Sequence, residues 1–137
     1  DNIMDDCIFC KIVKGEIPCY KVYEDDDHLA FLDISQFTKG HTLLIPKVHV
    51  NNYWELNDPK GIAIVLQKIG KHFKDLGYKY VDTLTFGRLV AHLHFHLVPH
   101  NGDDSEWEKG LSGLEYFHNN KRFSPEQLKL IAEEVKL

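Results

Sequence analysis

From His92 to Leu97 the chain alternates histidine with an apolar residue: His92, Leu93, His94, Phe95, His96, Leu97. A period of two is the signal of a β-strand. Successive strand side chains point to opposite faces, so Leu93, Phe95 and Leu97 share one face and the three imidazoles share the other. The apolar face is the core face. Along the other, neighbouring imidazoles stand about 6.5–7 Å apart. Two protonated rings at that distance repel by roughly 2–3 kcal/mol at an effective dielectric of about 20. That is on the order of two pKa units. At least one ring is therefore expected to stay neutral at pH 7, and a neutral imidazole is a nucleophile, a base or a metal ligand. A solvated strand face that merely carries histidine is the simplest reading for one residue. Three in register, with nothing else polar between them, point to chemistry.

Such a strand needs neighbours, and the rest of the chain supplies them. Residues 19–24 and 28–34 are rich in Val, Tyr, Phe and Ile and read as strands, with Cys19 an ordinary member of the first. Asp25-Asp26-Asp27 between them reads as a hairpin turn. Gly40 opens a third strand over 41–46, which Pro46 closes, and residues 80–88 are expected to pair with the histidine strand. Residues 8–14 form a short amphipathic stretch ending at Gly15, read as a helix. Asp58-Pro59 is a cap followed by a first-turn proline. Ile62, Leu66, Ile69, Phe73 and Leu76 then recur at three- and four-residue steps. The spacing predicts a helix of about 18 residues packed on the sheet, with Gly77 at its end and His72 towards solvent. Ser124-Pro125-Glu126-Gln127 resembles a capping box, starting a last helix to about Leu137 with Leu128, Ile131 and Val135 on one apolar face. The fold class is α+β: an antiparallel sheet of about five strands, one long helix across it, and short N- and C-terminal helices. The 137 residues fit a single domain, with a core over 6–100 and a C-terminal loop and helix over 101–137.

Charge excludes some partners. The net charge is −5 and no basic stripe is present, which argues against duplex nucleic acid as partner. No apolar run approaches 18 residues, so no membrane span is expected. The acidic start of the chain lacks a signal-peptide pattern. The three cysteines are an odd count, and Cys7 and Cys10 form C-x-x-C. Together these lead us to expect a reduced, cytoplasmic protein without disulfides. Cys7 and Cys10 fall on one side of a first helical turn. They are half of a zinc site, which needs two further ligands, or else two buried thiols. A thioredoxin-like redox role needs a preceding strand, for which the residues before Cys7 leave no room, and is not expected. By spacing alone, Asp33 at the end of the second strand caps the following loop.

The run His92-x-His94-x-His96 followed by Leu97-Val98-Pro99 resembles the signature of the histidine triad (HIT) family of nucleotide hydrolases and transferases. So do Ala30-Phe31-Leu32-Asp33-Ile34-Ser35 and the run Gly40-His41-Thr42-Leu43-Leu44-Ile45-Pro46-Lys47-Val48-His49. Cys7-Ile8-Phe9-Cys10-Lys11-Ile12 with Glu16-Ile17-Pro18 is similar as well. The resemblance covers roughly residues 6–100 and implies a set of roles. His94 would be the nucleophile that attacks the α-phosphate of a nucleotide conjugate, passing through a covalent nucleotidyl-histidine, and His96 would contact the phosphate or leaving group. Asp33 would hold the ribose hydroxyls. Phe9, Ile12, Ile17, Phe31 and Ile34 would form the slot for a purine base; without the motif they would be read as plain core. Gly87 would let a phosphate approach the backbone, and Arg88 would contact it. Structural zinc would be bound by Cys7, Cys10, His49 and His92, as in bacterial members. Two chains would pair as a homodimer through the long helix and the sheet edge. The chain departs from the family at three points: Arg88 and Leu89 replace the usual glutamine and serine, Val81 and Asp82 lie where an asparagine is common, and His100 stands where arginine is frequent. Trp107 could cover the site, as a Trp-bearing tail does in some relatives. A nucleotide- or zinc-binding module with little turnover is the alternative. A metallohydrolase with metal on His94 and His96 is a weaker one, because no carboxylate is placed beside them.

Overall fold

Asp25 closes the first hairpin. Its Oδ1 accepts the backbone N–H groups of Asp27 and His28 at 2.9 and 2.7 Å, an Asx-type closure that the aspartate run makes possible. The chain thereby turns from β1 (Lys21–Glu24) into β2 (His28–Leu32). A computed structural model of the chain describes residues 5–102 and 122–137, so Trp107 and the loop around it lie outside the described residues. Three more strands follow: β3 (Thr42–Pro46), β4 (Tyr80–Leu84) and β5 (Phe95–His100). They form one sheet in the order β1-β2-β3-β5-β4, every neighbouring pair antiparallel. The histidine segment therefore runs inside the sheet, between β3 and β4.

One face of the sheet carries the long helix α2 (Pro59–Asp75), whose cap is Asp58 accepting from the Gly61 N–H at 3.0 Å. Ile62, Val65, Ile69 and Phe73 are buried against Ala30, Leu44, Leu93, Phe95 and Leu97. Each such side chain contributes about 1.5–3 kcal/mol when fully buried. The stripe is shifted slightly from the sequence reading. Val65 joins it, Leu66 is half-buried, and Leu76 is exposed because it is already the C-terminal cap. His72 faces solvent as expected. The opposite face packs Phe9, Leu29, Phe31, Leu43 and Ile45 beneath the short helix α1 (Ile8–Val13). At the end of the chain, α3 (Pro125–Val135) has both halves of its capping box between Ser124 and Gln127. None of its residues is buried, and Leu128, Ile131 and Val135 remain exposed. Among the described residues no helix is long and apolar enough to cross a membrane.

Several boundaries differ from expectation. Strand β1 begins at Lys21, leaving Cys19 outside it, β2 stops at Leu32, and β4 stops at Leu84. The largest difference concerns β5, which starts at Phe95 rather than His92. Its neighbour β3 pairs Leu44 with Phe95, Leu43 with His96 and Thr42 with Leu97, and the ladder stops there, two residues short of the end of β3 at Pro46. Leu93 instead donates to the Val50 carbonyl at 2.7 Å. The alternation survives this break: Leu93 continues the helix-side core, while His92 and His94 are buried on the other side.

Candidate active site and metal centre

Hydrogen-bond partners assign a tautomer to each ring of the triad. The His94 Nδ1 lies 2.8 Å from the His92 carbonyl oxygen, which can only accept. Nδ1 therefore carries the proton and Nε2 keeps its lone pair. Thr85 Oγ1 donates to the His94 carbonyl at 2.8 Å and fixes the backbone at this point. Phe9 and His96 pack edge-on to the His94 ring, each with its centroid 5.2 Å away.

His92 is arranged the other way round. Its Nε2 donates to the Pro46 carbonyl at 2.8 Å, leaving the Nδ1 lone pair directed at two sulfurs. Cys7 Sγ lies 3.5 Å from it and Cys10 Sγ 3.4 Å. His49 Nδ1 stands 3.3 Å from Cys10 Sγ, while its Nε2 faces Asn51 Oδ1 at 3.3 Å. The four ligand atoms all fall within 4.8 Å of one another. A tetrahedral zinc with bonds of about 2.0–2.3 Å requires ligand atoms about 3.3–3.8 Å apart. The donor set of two thiols and two imidazole lone pairs fits that ion, and the partners of the far ring nitrogens are those a metal-bound histidine uses. Cys7 also caps α1, accepting from the Cys10 N–H at 3.5 Å. The cluster joins the N-terminal helix, the segment after β3 and the approach to β5. Burial holds the His92 pKa down at about 4, and the Pro46 carbonyl offsets this only partly.

His96 belongs to a second arrangement. Gly40 has φ +100, a conformation that favours glycine. It delivers His41 to the start of β3, next to the strand that carries His96. The Phe37 N–H donates to His41 Nδ1 at 3.2 Å, so the His41 proton is on Nε2. That nitrogen meets His96 Nδ1 at 2.8 Å and donates to it. His96 consequently carries its own proton on Nε2. Asp33 Oδ2 stands 3.7 Å from His41 Nε2, and Asp33 Oδ1 accepts the Ser35 N–H at 2.8 Å. Asp33, His41 and His96 also lie close enough together to suggest a metal triad. The tautomers argue against it: His41 Nδ1 is occupied by an amide N–H, so Nε2 has no lone pair to offer a metal. Burial lowers the pKa of both rings, that of His96 to about 4, with Asp33 opposing.

His94 and His96 line a cavity of about 470 Å³ whose remaining walls are mainly apolar. Phe9, Ile12, Ile17, Phe31, Asp33 and Ile34 all contribute, so the residues expected around a base and ribose do come together. Ile34 stands at the mouth, 91% exposed. Cys19 joins the wall instead of a strand. Gly87 and Arg88 are not in the wall; Phe86, Leu89 and Val90 from the same loop are.

Residues 14–103 match the HIT domain. The chain belongs to the HIT family. An adenosine 5′-monophosphoramidase of Schizosaccharomyces pombe is 40% identical over 134 residues, which cover 94% of this chain and 95% of that protein. The crystal structure of a Streptococcus mutans protein superposes with a TM-score of 0.77 at 37% identity, over 98% of this chain and 86% of the other. A zinc-bound histidine triad protein from Mycobacterium smegmatis gives a TM-score of 0.68 at 34% identity, over 73% of this chain and 78% of that one.

Within this HIT chain, sequence reasoning missed two contributors. His41 was quoted only as part of a motif, although the register of β3 on β5 brings it to His96. Phe86, on the loop after β4, places its ring 6.2 Å from that of His96. A histidine at the entry of the strand next to the triad was the available signal for the first. The second had none, since loop geometry decides it.

Proposed function

We propose that this HIT protein is a nucleotide hydrolase acting on the α-phosphate of nucleotide conjugates, nucleoside phosphoramidates or dinucleoside polyphosphates, through a nucleotidyl group on His94. The observation that carries this reading is the His94 tautomer: an unprotonated Nε2 on a ring held by a backbone carbonyl, on the wall of an apolar cavity. The S. pombe relative named for adenosine 5′-monophosphoramidase activity supports the substrate class. Phe9, Ile12, Ile17, Phe31 and Ile34 enclose a purine base, and Asp33 accepts from the ribose hydroxyls. His94 Nε2 bonds to phosphorus as the bond to the leaving group breaks. A phosphate departs with the electron pair as an anion; an amine departs with the pair and a proton taken from solvent. The His96 Nε2–H donates a hydrogen bond to the oxygens that gain charge. Water then attacks phosphorus and loses a proton to solvent, and the electron pair of the P–N bond returns to His94. Gly87 and Arg88 stand on the loop that supplies Phe86, Leu89 and Val90 to the cavity wall. Zinc held by Cys7, Cys10, His49 and His92 is structural: it would cross-link three segments and hold the His92 backbone, whose carbonyl sets the His94 tautomer.

The test is a rapid, acid-free quench of the protein with a nucleoside phosphoramidate. We expect a mass gain of one nucleotide monophosphate, mapped to His94 and absent from His94→Ala. An adduct elsewhere, or wild-type turnover by His94→Ala, rejects the mechanism.

A further inference from the structure

The reactive rings are in serial contact. Phe9 of the apolar slot touches His94, His94 touches His96, and His96 touches Phe86. The Arg88 guanidinium then sits over the Phe86 ring, 5.7 Å from its centroid. Resting on the assignment of His94 as nucleophile, this order places the nucleoside at the Phe9 end. Arg88 is at the other end of this series of contacts, on the loop that supplies Phe86 and Leu89 to the cavity wall. Arg88 is exposed, and no ion pair engages it among the described residues. Among the described residues no lysine or arginine lines the cavity, and Asp33 is its one carboxylate. A guanidinium stacked on an aromatic ring keeps its N–H fork free to bind an oxyanion in a bidentate manner.

The relay behind His96 gives a second, independent reason. His96 accepts at Nδ1 from His41 and holds a single proton on Nε2. It can donate a hydrogen bond, but surrendering that proton would leave an anionic ring. An amine leaving from phosphorus must gain a proton. A sulfate or phosphate departs with the electron pair of the broken P–O bond as a stable anion and needs none.

We infer that Arg88 selects substrates whose leaving group is an oxyanion, a sulfate, phosphate or polyphosphate, over those that release an amine. The bond formed is His94 Nε2–P, the bond broken is P–O, and the departing oxygen carries the pair towards the Arg88 guanidinium. Water then releases the nucleotide from His94.

Adenosine 5′-phosphosulfate and adenosine 5′-phosphoramidate carry the same adenylyl group and differ in what leaves. With the full chain, kcat/KM is measured on both for wild type, Arg88→Gln and Arg88→Lys. Arg88→Gln should lower the phosphosulfate-to-phosphoramidate ratio by about tenfold or more, the scale of losing a hydrogen bond to a charged group. Arg88→Lys should keep most of the ratio. Equal losses on both substrates would place Arg88 on the transferred phosphate and overturn the inference, as would a ratio that does not move. If wild type turns over neither compound and forms no His94 adduct, the hydrolase reading itself falls. Turnover with an unchanged ratio rejects only the role of Arg88.

Discussion

At the scale of single residues, the site is governed by which nitrogen holds which proton. His41 touches no wall of the cavity, yet it keeps the His96 proton on Nε2. His41→Ala should lower kcat by about 10–10²-fold while leaving nucleotide affinity nearly intact, by analogy with lost acid–base or orienting help. Steady-state kinetics with a nucleotide titration would check it. The same rings make stability depend on pH. His96 falls from the ordinary 6.5 to about 4 on folding, and His41 is lowered too. As pH drops below about 6.5 the unfolded chain takes up protons that the folded chain refuses. Stability from these rings is therefore complete above 6.5 and declines towards pH 4. Denaturant titrations at pH 7.5, 6 and 5 should show a falling midpoint. The triad itself was legible because alternation is a local pattern. His41 was not legible, because its partner lies 55 positions away and only strand register joins them.

Among the elements, the approach to β5 depends on what holds it once the β3 ladder has ended. Residues 92–94 lie outside the strand, tied by Leu93 to Val50, by the His92 ring to Pro46 and by Thr85 to His94. The cysteine–histidine cluster is the remaining tie. Freshly purified protein should contain about one zinc per chain. Chelation or Cys7→Ser should lower Tm by about 5 °C or more and reduce kcat, because the His92 carbonyl positions His94. Less than a tenth of an equivalent, with Tm unmoved by Cys7→Ser, would mean that Cys7 and Cys10 are simply buried thiols. Sequence reading located the elements but not this seam. The turn at Asp25, the Asp58 cap and the Ser124 capping box are short-range chemistry and were legible. The start of β5 was not, because it is set where the Leu93 N–H turns from β3 to the Val50 carbonyl, a partner distant in the chain.

For the whole molecule, sheet order leaves β4, among the described residues, as an edge beside α2. Between them is an open groove of about 570 Å³ lined by Ala63, Gly70, Tyr80 and Val81 among others. An unpaired edge next to small helix residues suits a two-fold contact in which β4 meets β4. Size-exclusion chromatography with light scattering should give twice the chain mass at micromolar concentration; a monomer there rejects the dimer. The strand order then has a consequence of its own. Antiparallel pairing about an axis normal to the sheet keeps both cavities on one side. With β5 second from the edge, the two nucleophiles would be three inter-strand spacings apart across the sheet, about 14–15 Å, and, with the axis at the middle of β4 opposite Val98, about 27 Å apart along the strands, or about 30 Å in all. Two reaction centres on one side of a continuous sheet could be bridged by one molecule long enough to span that distance. Two nucleosides on a tether of matching length should bind more tightly than either half by the ratio of effective concentration to single-site Kd, and that gain should vanish if the β4 edge is blocked.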